Sequence, residues 1–324
     1  MLRLDHVLEA KSPCGGPKSL TAKKTPLWKS ESLSKMLGCE LYLKYEHLQY
    51  AGSFKVRGVL NWMRLNPENH QEVATYSSGN HGLALAWACD KLDIPARIFV
   101  PEDLSERKRF GIKRLHAKLV KAGTSINDRR SACEAYVKKT GASLVPPFEA
   151  PEIIAGQGTI ALEILEDLPM FDALLAPVGG GGLLAGIGIA MKSLRPRIQI
   201  VGCEPELAND FQHSLKEGSL VTLKPSKTIA EELRHEGVGS LNWNYLRETV
   251  GRAITCTEQS ICRAFHLLAE EHNQIVEPSG AVSLACLLDH KADFKGKKVV
   301  VVLSGGNTTI KELTAWSEST DQES

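Results

Sequence analysis

An apolar run, Ala173–Val178, ends in four consecutive glycines, Gly179, Gly180, Gly181 and Gly182, and a helical pattern begins at Leu183. Without Cβ atoms the backbone can curl until its N–H groups converge, and the helix start behind it adds a favourable dipole. A strand, a glycine loop and a helix in this order make a cup for a phosphate. The unit requires an α/β fold in which a buried strand delivers the loop to the edge of a sheet. A plain turn would not need so many glycines.

The cup alone does not name its ligand. Gly180, Gly182 and Ala185 satisfy G-x-G-x-x-A, and Glu204 follows Gly180 by 24 residues. On spacing, that is a dinucleotide-binding fingerprint, and a nicotinamide (NAD) oxidoreductase stays open. A P-loop does not, because no Gly-Lys-Ser/Thr follows the glycines. Two more loops have the same strand-then-small-residue form: Ser77-Ser78-Gly79-Asn80-His81-Gly82 and Ser304-Gly305-Gly306-Asn307. Together they suggest one ligand with several polar handles.

From residue 73 onward, strand and helix patterns alternate. Strands are expected at Val73–Ser77, Ala96–Val100 and Lys118–Lys121, with helices at His81–Leu92, Ser105–Leu115 (capped by Ser105) and Ile126–Lys139. This order implies a parallel sheet covered on both faces. The pattern breaks at Pro146-Pro147-Phe148, which puts a boundary near 147. A second α/β stretch has helices at Ala161–Leu168 and Leu183–Leu194, strands at Ala173–Val178 and Ile198–Cys203, helices near 258–272 and 280–289, and a final strand at Lys298–Leu303. Residues 1–24 are expected to run over the surface, and the polar tail after Trp316 to fray.

Composition excludes other classes. The 39 Lys and Arg against 38 Asp and Glu leave a net charge of +1, with no basic field for nucleic acid. Apolar runs are short and broken, so no membrane span is expected. The N-terminal segment has no continuous apolar core, so no secretory signal is expected. Eight cysteines without a CxxC pair read as free thiols in a reducing cytoplasmic setting.

The segment Gly52-Ser53-Phe54-Lys55-Val56-Arg57-Gly58 decides the ligand. With Ser-Ser-Gly-Asn-His-Gly, Pro-Phe at 147–148, Ala-Gly-Gln-Gly-Thr at 155–159, Pro-Val-Gly-Gly-Gly-Gly-Leu, Glu-Pro-Ser-Gly at 277–280 and Ser-Gly-Gly-Asn, it resembles the fold-type II pyridoxal-phosphate enzymes of the serine/threonine dehydratase and serine racemase family. The motifs keep that family's order over roughly residues 25–310.

The resemblance implies a two-domain α/β fold of the tryptophan synthase β type, with parallel-rich sheets flanked by helices. Residues 1–71 and 148–324 would form the large cofactor-binding domain, and 72–147 a small inserted one. The cofactor would be pyridoxal 5'-phosphate, with Lys55 as its Schiff-base lysine. Phe54 would pack near its ring, Gly179–Gly182 would hold its phosphate, Asn80 its ring hydroxyl and Ser304 its pyridine nitrogen, with Glu277 beside them. A neutral hydroxyl at that nitrogen goes with elimination and racemisation rather than transamination. Ser77, Ser78, Gly79, Asn80 and His81 would receive the substrate carboxylate. Lys55 would take the Cα proton of a 3-hydroxy amino acid such as serine or threonine, yielding a 2-oxo acid and ammonia.

Ser78 keeps a second activity open, because the matching serine in the family's racemases stands opposite the lysine. In the same branch, Glu204, the Ala208 carbonyl and Asp210 match a site for Mg²⁺, Mn²⁺ or Ca²⁺; the competing reading is acidic residues at a helix start. A homodimer is implied, and no segment remains for the C-terminal regulatory domain of long biosynthetic threonine dehydratases. One motif departs: after Thr228-Ile229-Ala230, Glu231-Glu232 stands where the family has Asp-Gly. The Glu232 side chain must point away or enter the site, and a non-catalytic cofactor-binding relative stays open beside the lyase and racemase readings.

Overall fold

The computed structural model describes residues 1–13, 19–69, 71–104 and 106–321. Among these, the strands are β1 (Leu27–Lys29), β2 (Glu40–Lys44), β3 (Val73–Thr75), β4 (Ala96–Val100), β5 (Lys118–Lys121), β6 (Ser143–Leu144), β7 (Ala173–Pro177), β8 (Gln199–Pro205), β9 (Arg252–Cys256) and β10 (Lys298–Val302). One sheet has six strands in the order β1-β2-β10-β7-β8-β9, and the other four in the order β5-β4-β3-β6. All pairings are parallel except β1 with β2.

Parallel strands are joined by helices that cover both faces, so central strands are apolar throughout. In β10, Val299 and Val301 face one core with Leu41, Leu43 and Leu175. Val300 and Val302 face the other with Leu174 and Ala176. In the smaller sheet, Val73, Ile98 and Val100 pack with Leu85 and Ala88 of helix Asn80–Leu92. Val56, Val59, Leu60 and Met63 of helix Lys55–Leu65 enter that same core.

Most expected elements are present with shifted ends. The expected helix 161–168 is the end of a longer one, Pro151–Asp167. Gly156 and Gly158 look like loop residues in sequence, but they allow close helix contacts. A Cβ on Gly156 would lie 2.5 Å from the Arg57 carbonyl oxygen, and one on Gly158 would lie 2.7 Å from that of Gly186. The N-terminal stretch does not simply run over the surface. Leu4–Glu9 is helical, with Val7 buried against the helices Pro151–Asp167 and Gly182–Leu194. Nor does order stop at Trp316, since helix Ile310–Asp321 continues past it. The expected cap Ser105 lies outside the described residues, as do Gly15, Gly16 and Pro17. No helix among the described residues is long and apolar enough to cross a membrane.

Candidate active site

Lys55 is the first residue of its helix, and the loop before it is stitched to the loop after β10. Ser53 bridges Gly305, the Phe54 N–H donates to the Ser304 carbonyl at 3.1 Å, and the Gly306 N–H donates to the Gly52 carbonyl at 2.9 Å. Two residues on, Arg57 is locked in a buried ion network. Its guanidinium bonds Glu46 and Glu163, each at 2.7 Å, and Lys44 bonds Glu163 at 2.6 Å. The Lys55 ammonium donates to the Pro147 carbonyl at 2.9 Å. Desolvation lowers its pKa to about 8, although the Glu232 carboxylate pulls it upward.

Loops after β3, β7 and β10 converge on one cavity of about 40 Å³. Phe54, Lys55, Asn80, Gly179–Gly182, Glu277 and Ser304 all line it. Gly181 has φ of +88°, a region costly for residues with a Cβ, and it precedes the first turn of helix Gly182–Leu194. Asn242 holds this loop's shape by donating to the Gly180 carbonyl at 2.5 Å. The Asn80 amide is also fixed: it donates to Glu277 at 2.5 Å and accepts from Asn307 at 2.6 Å.

A second cavity, of about 260 Å³, adjoins the first through the shared residues Asn80, Glu232, Glu277 and Ser279. Ser78 and Gly79 line it; Ser77 and His81 line neither cavity. His81 is buried and bonds the Val145 carbonyl. Burial and the Lys55 charge lower its pKa to about 3. The Glu231-Glu232 departure resolves in both directions. Glu231 pairs with Lys108 at 2.6 Å, whereas Glu232 turns inward and accepts the Asn80 backbone N–H at 3.1 Å.

Glu204, Ala208 and Asp210 stand apart from both cavities. The Glu204 carboxylate accepts the Phe211 and Gln212 N–H groups at 2.9 and 2.8 Å, capping helix Asp210–Glu217. One oxygen of the buried Asp210 carboxylate has no partner. Burial raises its pKa to about 7, and burial and then Asp210 raise that of Glu204. No group of three or more His, Cys, Asp or Glu residues arranged for a metal occurs among the described residues.

Sequence reasoning assigned no role to Asn242, His235, Phe148 or Ser279. His235 lines the smaller cavity with its ring edge-on to Phe148. Burial and the Lys55 charge lower its pKa to about 4. Asn242 and His235 carry no local motif and take their place from packing onto the glycine loop, whereas Phe148 and Ser279 fall within the Pro-Phe and Glu-Pro-Ser-Gly motifs.

A lysine amine with a depressed pKa, beside a phosphate cup, a fixed amide and a neutral hydroxyl, defines an enzyme that works through an aldehyde-bearing phosphorylated cofactor. The chain belongs to the pyridoxal-phosphate dependent enzyme family, which matches residues 18–305. It is 38% identical over 290 residues to the L-threo-3-hydroxyaspartate ammonia-lyase of Saccharomyces cerevisiae, covering 89% of each chain. It is 38% identical over 299 residues to the serine racemase of Rattus norvegicus, covering 90% of each. The solved structure of maize serine racemase superposes with a TM-score of 0.90 at 33% identity, over 99% of this chain and 98% of that one. The donor set fits pyridoxal phosphate: an amine for the aldehyde, a glycine loop at a helix start for the phosphate, and an amide and a hydroxyl for the ring.

Proposed function

We propose that this protein is an ammonia-lyase acting on a small 3-hydroxy amino acid such as serine or threonine. The observation that carries this reading is the Lys55 amine, with its pKa drawn down to about 8, on the same cavity as the glycine loop and Ser304. Pyridoxal phosphate, when bound, supplies the sink for charge developing at the substrate Cα. Gly179–Gly182 would hold the phosphate, Phe54 would pack near the ring, Asn80 (backed by Glu277) would bond its hydroxyl, and Ser304 would meet its nitrogen without adding charge. Of the Ser77–His81 segment, Ser78, Gly79 and Asn80 face the cavities and would receive the substrate carboxylate. Lys55 in its neutral form takes the Cα proton. The β-hydroxyl departs as water, taking up the proton that Lys55 removed, and addition of water then releases the 2-oxo acid and ammonia.

Racemisation is the second reading, favoured by Ser78 on the adjoining cavity. There, Lys55 and Ser78 would serve opposite faces of Cα. Ser78→Ala should then lower the ratio of racemisation to elimination at least about tenfold, the loss of one proton-transfer group. We read residues 72–147 as the small domain and the remainder as the large one, and the enzyme as a cytoplasmic homodimer. Glu204, the Ala208 carbonyl and Asp210 are proposed to bind Mg²⁺, Mn²⁺ or Ca²⁺, for which the unpartnered Asp210 oxygen is the support.

The test is borohydride reduction of the cofactor-loaded protein, peptide mapping, and a screen of hydroxy amino acids for keto-acid release. Label on Lys55 with keto acid from serine or threonine supports the reading. Label elsewhere, or no keto acid from any of them, overturns it.

A further inference from the structure

Glu231 and Glu232 are adjacent, yet their carboxylates diverge. Glu231 reaches Lys108 at the rim of the cleft. Glu232 is aimed inward from a short 3-10 turn, Glu231–Leu233, pinned by its own N–H to the Ser279 hydroxyl at 3.0 Å. Inside, Glu232 meets the start of helix Asn80–Leu92. Its Oε2 accepts the Asn80 N–H at 3.1 Å. A Cβ added to Gly79 would lie 1.9 Å from its Oε1 and 2.6 Å from its Oε2, so the carboxylate sits directly against the helix N-terminus. Its charge acts on Lys55 as well. Glu232 lines both cavities, and so stands between the outer cavity and the lysine.

A helix N-terminus attracts one anion, and here the chain supplies it. If the cleft receives an amino acid, as the reading above holds, that ligand's carboxylate needs the same N–H groups. We infer that Glu232 is a resident carboxylate in the substrate-carboxylate seat, an internal competitor that every substrate displaces. It sets the concentration of amino acid at which the site fills. Where the related motif has Asp-Gly, nothing from this position competes.

The inference rests on the amino-acid reading of the cleft, but its test does not need turnover. Glycine carries the amine and carboxylate and has no leaving group. It is titrated by calorimetry into the cofactor-loaded holoenzyme and its variants. Glu232→Gln and Glu232→Gly should bind glycine about tenfold tighter or more, because a charge-assisted hydrogen bond no longer has to be broken. Glu232→Asp, one methylene shorter, should fall between them and the parent, and Glu231→Gln should match the parent. Circular dichroism checks folding, and the near-isosteric Gln variant keeps the test valid if the Gly variant unfolds. Equal or weaker glycine affinity in Glu232→Gln overturns the inference. Tighter glycine binding in a protein that eliminates no hydroxy amino acid overturns the ammonia-lyase reading and leaves this one standing.

Discussion

The Asn80 side-chain amide donates to the Glu277 carboxylate at 2.5 Å, tying the start of helix Asn80–Leu92 to the start of helix Pro278–Asp289. Gly305 lies against this pair. A Cβ there would fall 2.2 Å from Glu277 Oε1 and 3.0 Å from Asn80 Nδ2. Gly305→Ala should push the two apart without removing either. Overpacking of this kind costs about 1–3 kcal/mol, visible in urea unfolding. Pyridoxal-phosphate affinity, measured by dialysis, should fall about tenfold for each contact the displaced amide loses.

Lys55 should govern the pH dependence of cofactor attachment. Only the neutral amine attacks an aldehyde, and desolvation lowers the Lys55 pKa from 10.5 to about 8. The rate of forming a borohydride-reducible lysine adduct should rise with pH and level off above about 8. A rate still climbing toward the ordinary lysine range would contradict the buried environment. Linkage has the same direction. Between the folded and unfolded pKa values the unfolded chain binds more protons, so the Lys55 contribution to stability rises with pH across that window.

The buried network around Arg57 should be costly to break by halves. Glu163→Gln leaves Lys44 and Arg57 with one carboxylate fewer in a site that water scarcely reaches. A loss of about 3–5 kcal/mol in urea unfolding is expected. Burial pushes the Glu163 pKa up, but Arg57 and Lys44 outweigh it and the net shift is downward from 4.5. The Glu163 share of stability is therefore present above the unfolded pKa and lost as pH falls through the folded one. In the Gln variant, that acid-sensitive share should be absent from the Tm-against-pH curve.

Divalent cations provide a separate test at Glu204 and Asp210. Titration with Mg²⁺, Mn²⁺ or Ca²⁺ should raise Tm if the unpartnered Asp210 oxygen receives the ion. At a hundred times Kd the gain is about 2.7 kcal/mol. Asp210→Asn should cancel the increment. An equal increment in that variant would assign the stabilisation elsewhere.

Much of the site can be read from the chain because its chemistry needs particular residues in short segments. The glycine loop, the lysine after Ser53-Phe54, and the small polar residues after β3 and β10 each combine a backbone requirement with a functional group. The helix Pro151–Asp167 is harder to read, because Gly156 and Gly158 resemble turn residues until the Arg57 and Gly186 carbonyls pack against them. Helix Leu4–Glu9 is hidden in the same way, since its apolar residues have meaning only beside their partners.

The sequence by itself determined the covalent means: an amine at Lys55, a neutral hydroxyl at Ser304, and a loop of four glycines that can curve around a phosphate. Those depend on residue identity and local backbone freedom. Tertiary structure decided what the groups do to one another. It turned Glu232 inward and Glu231 outward, lowered the Lys55 pKa, and joined Asn80 to Glu277 across 197 residues of chain. Desolvation and electrostatics depend on distance and burial, and only the folded chain sets those quantities.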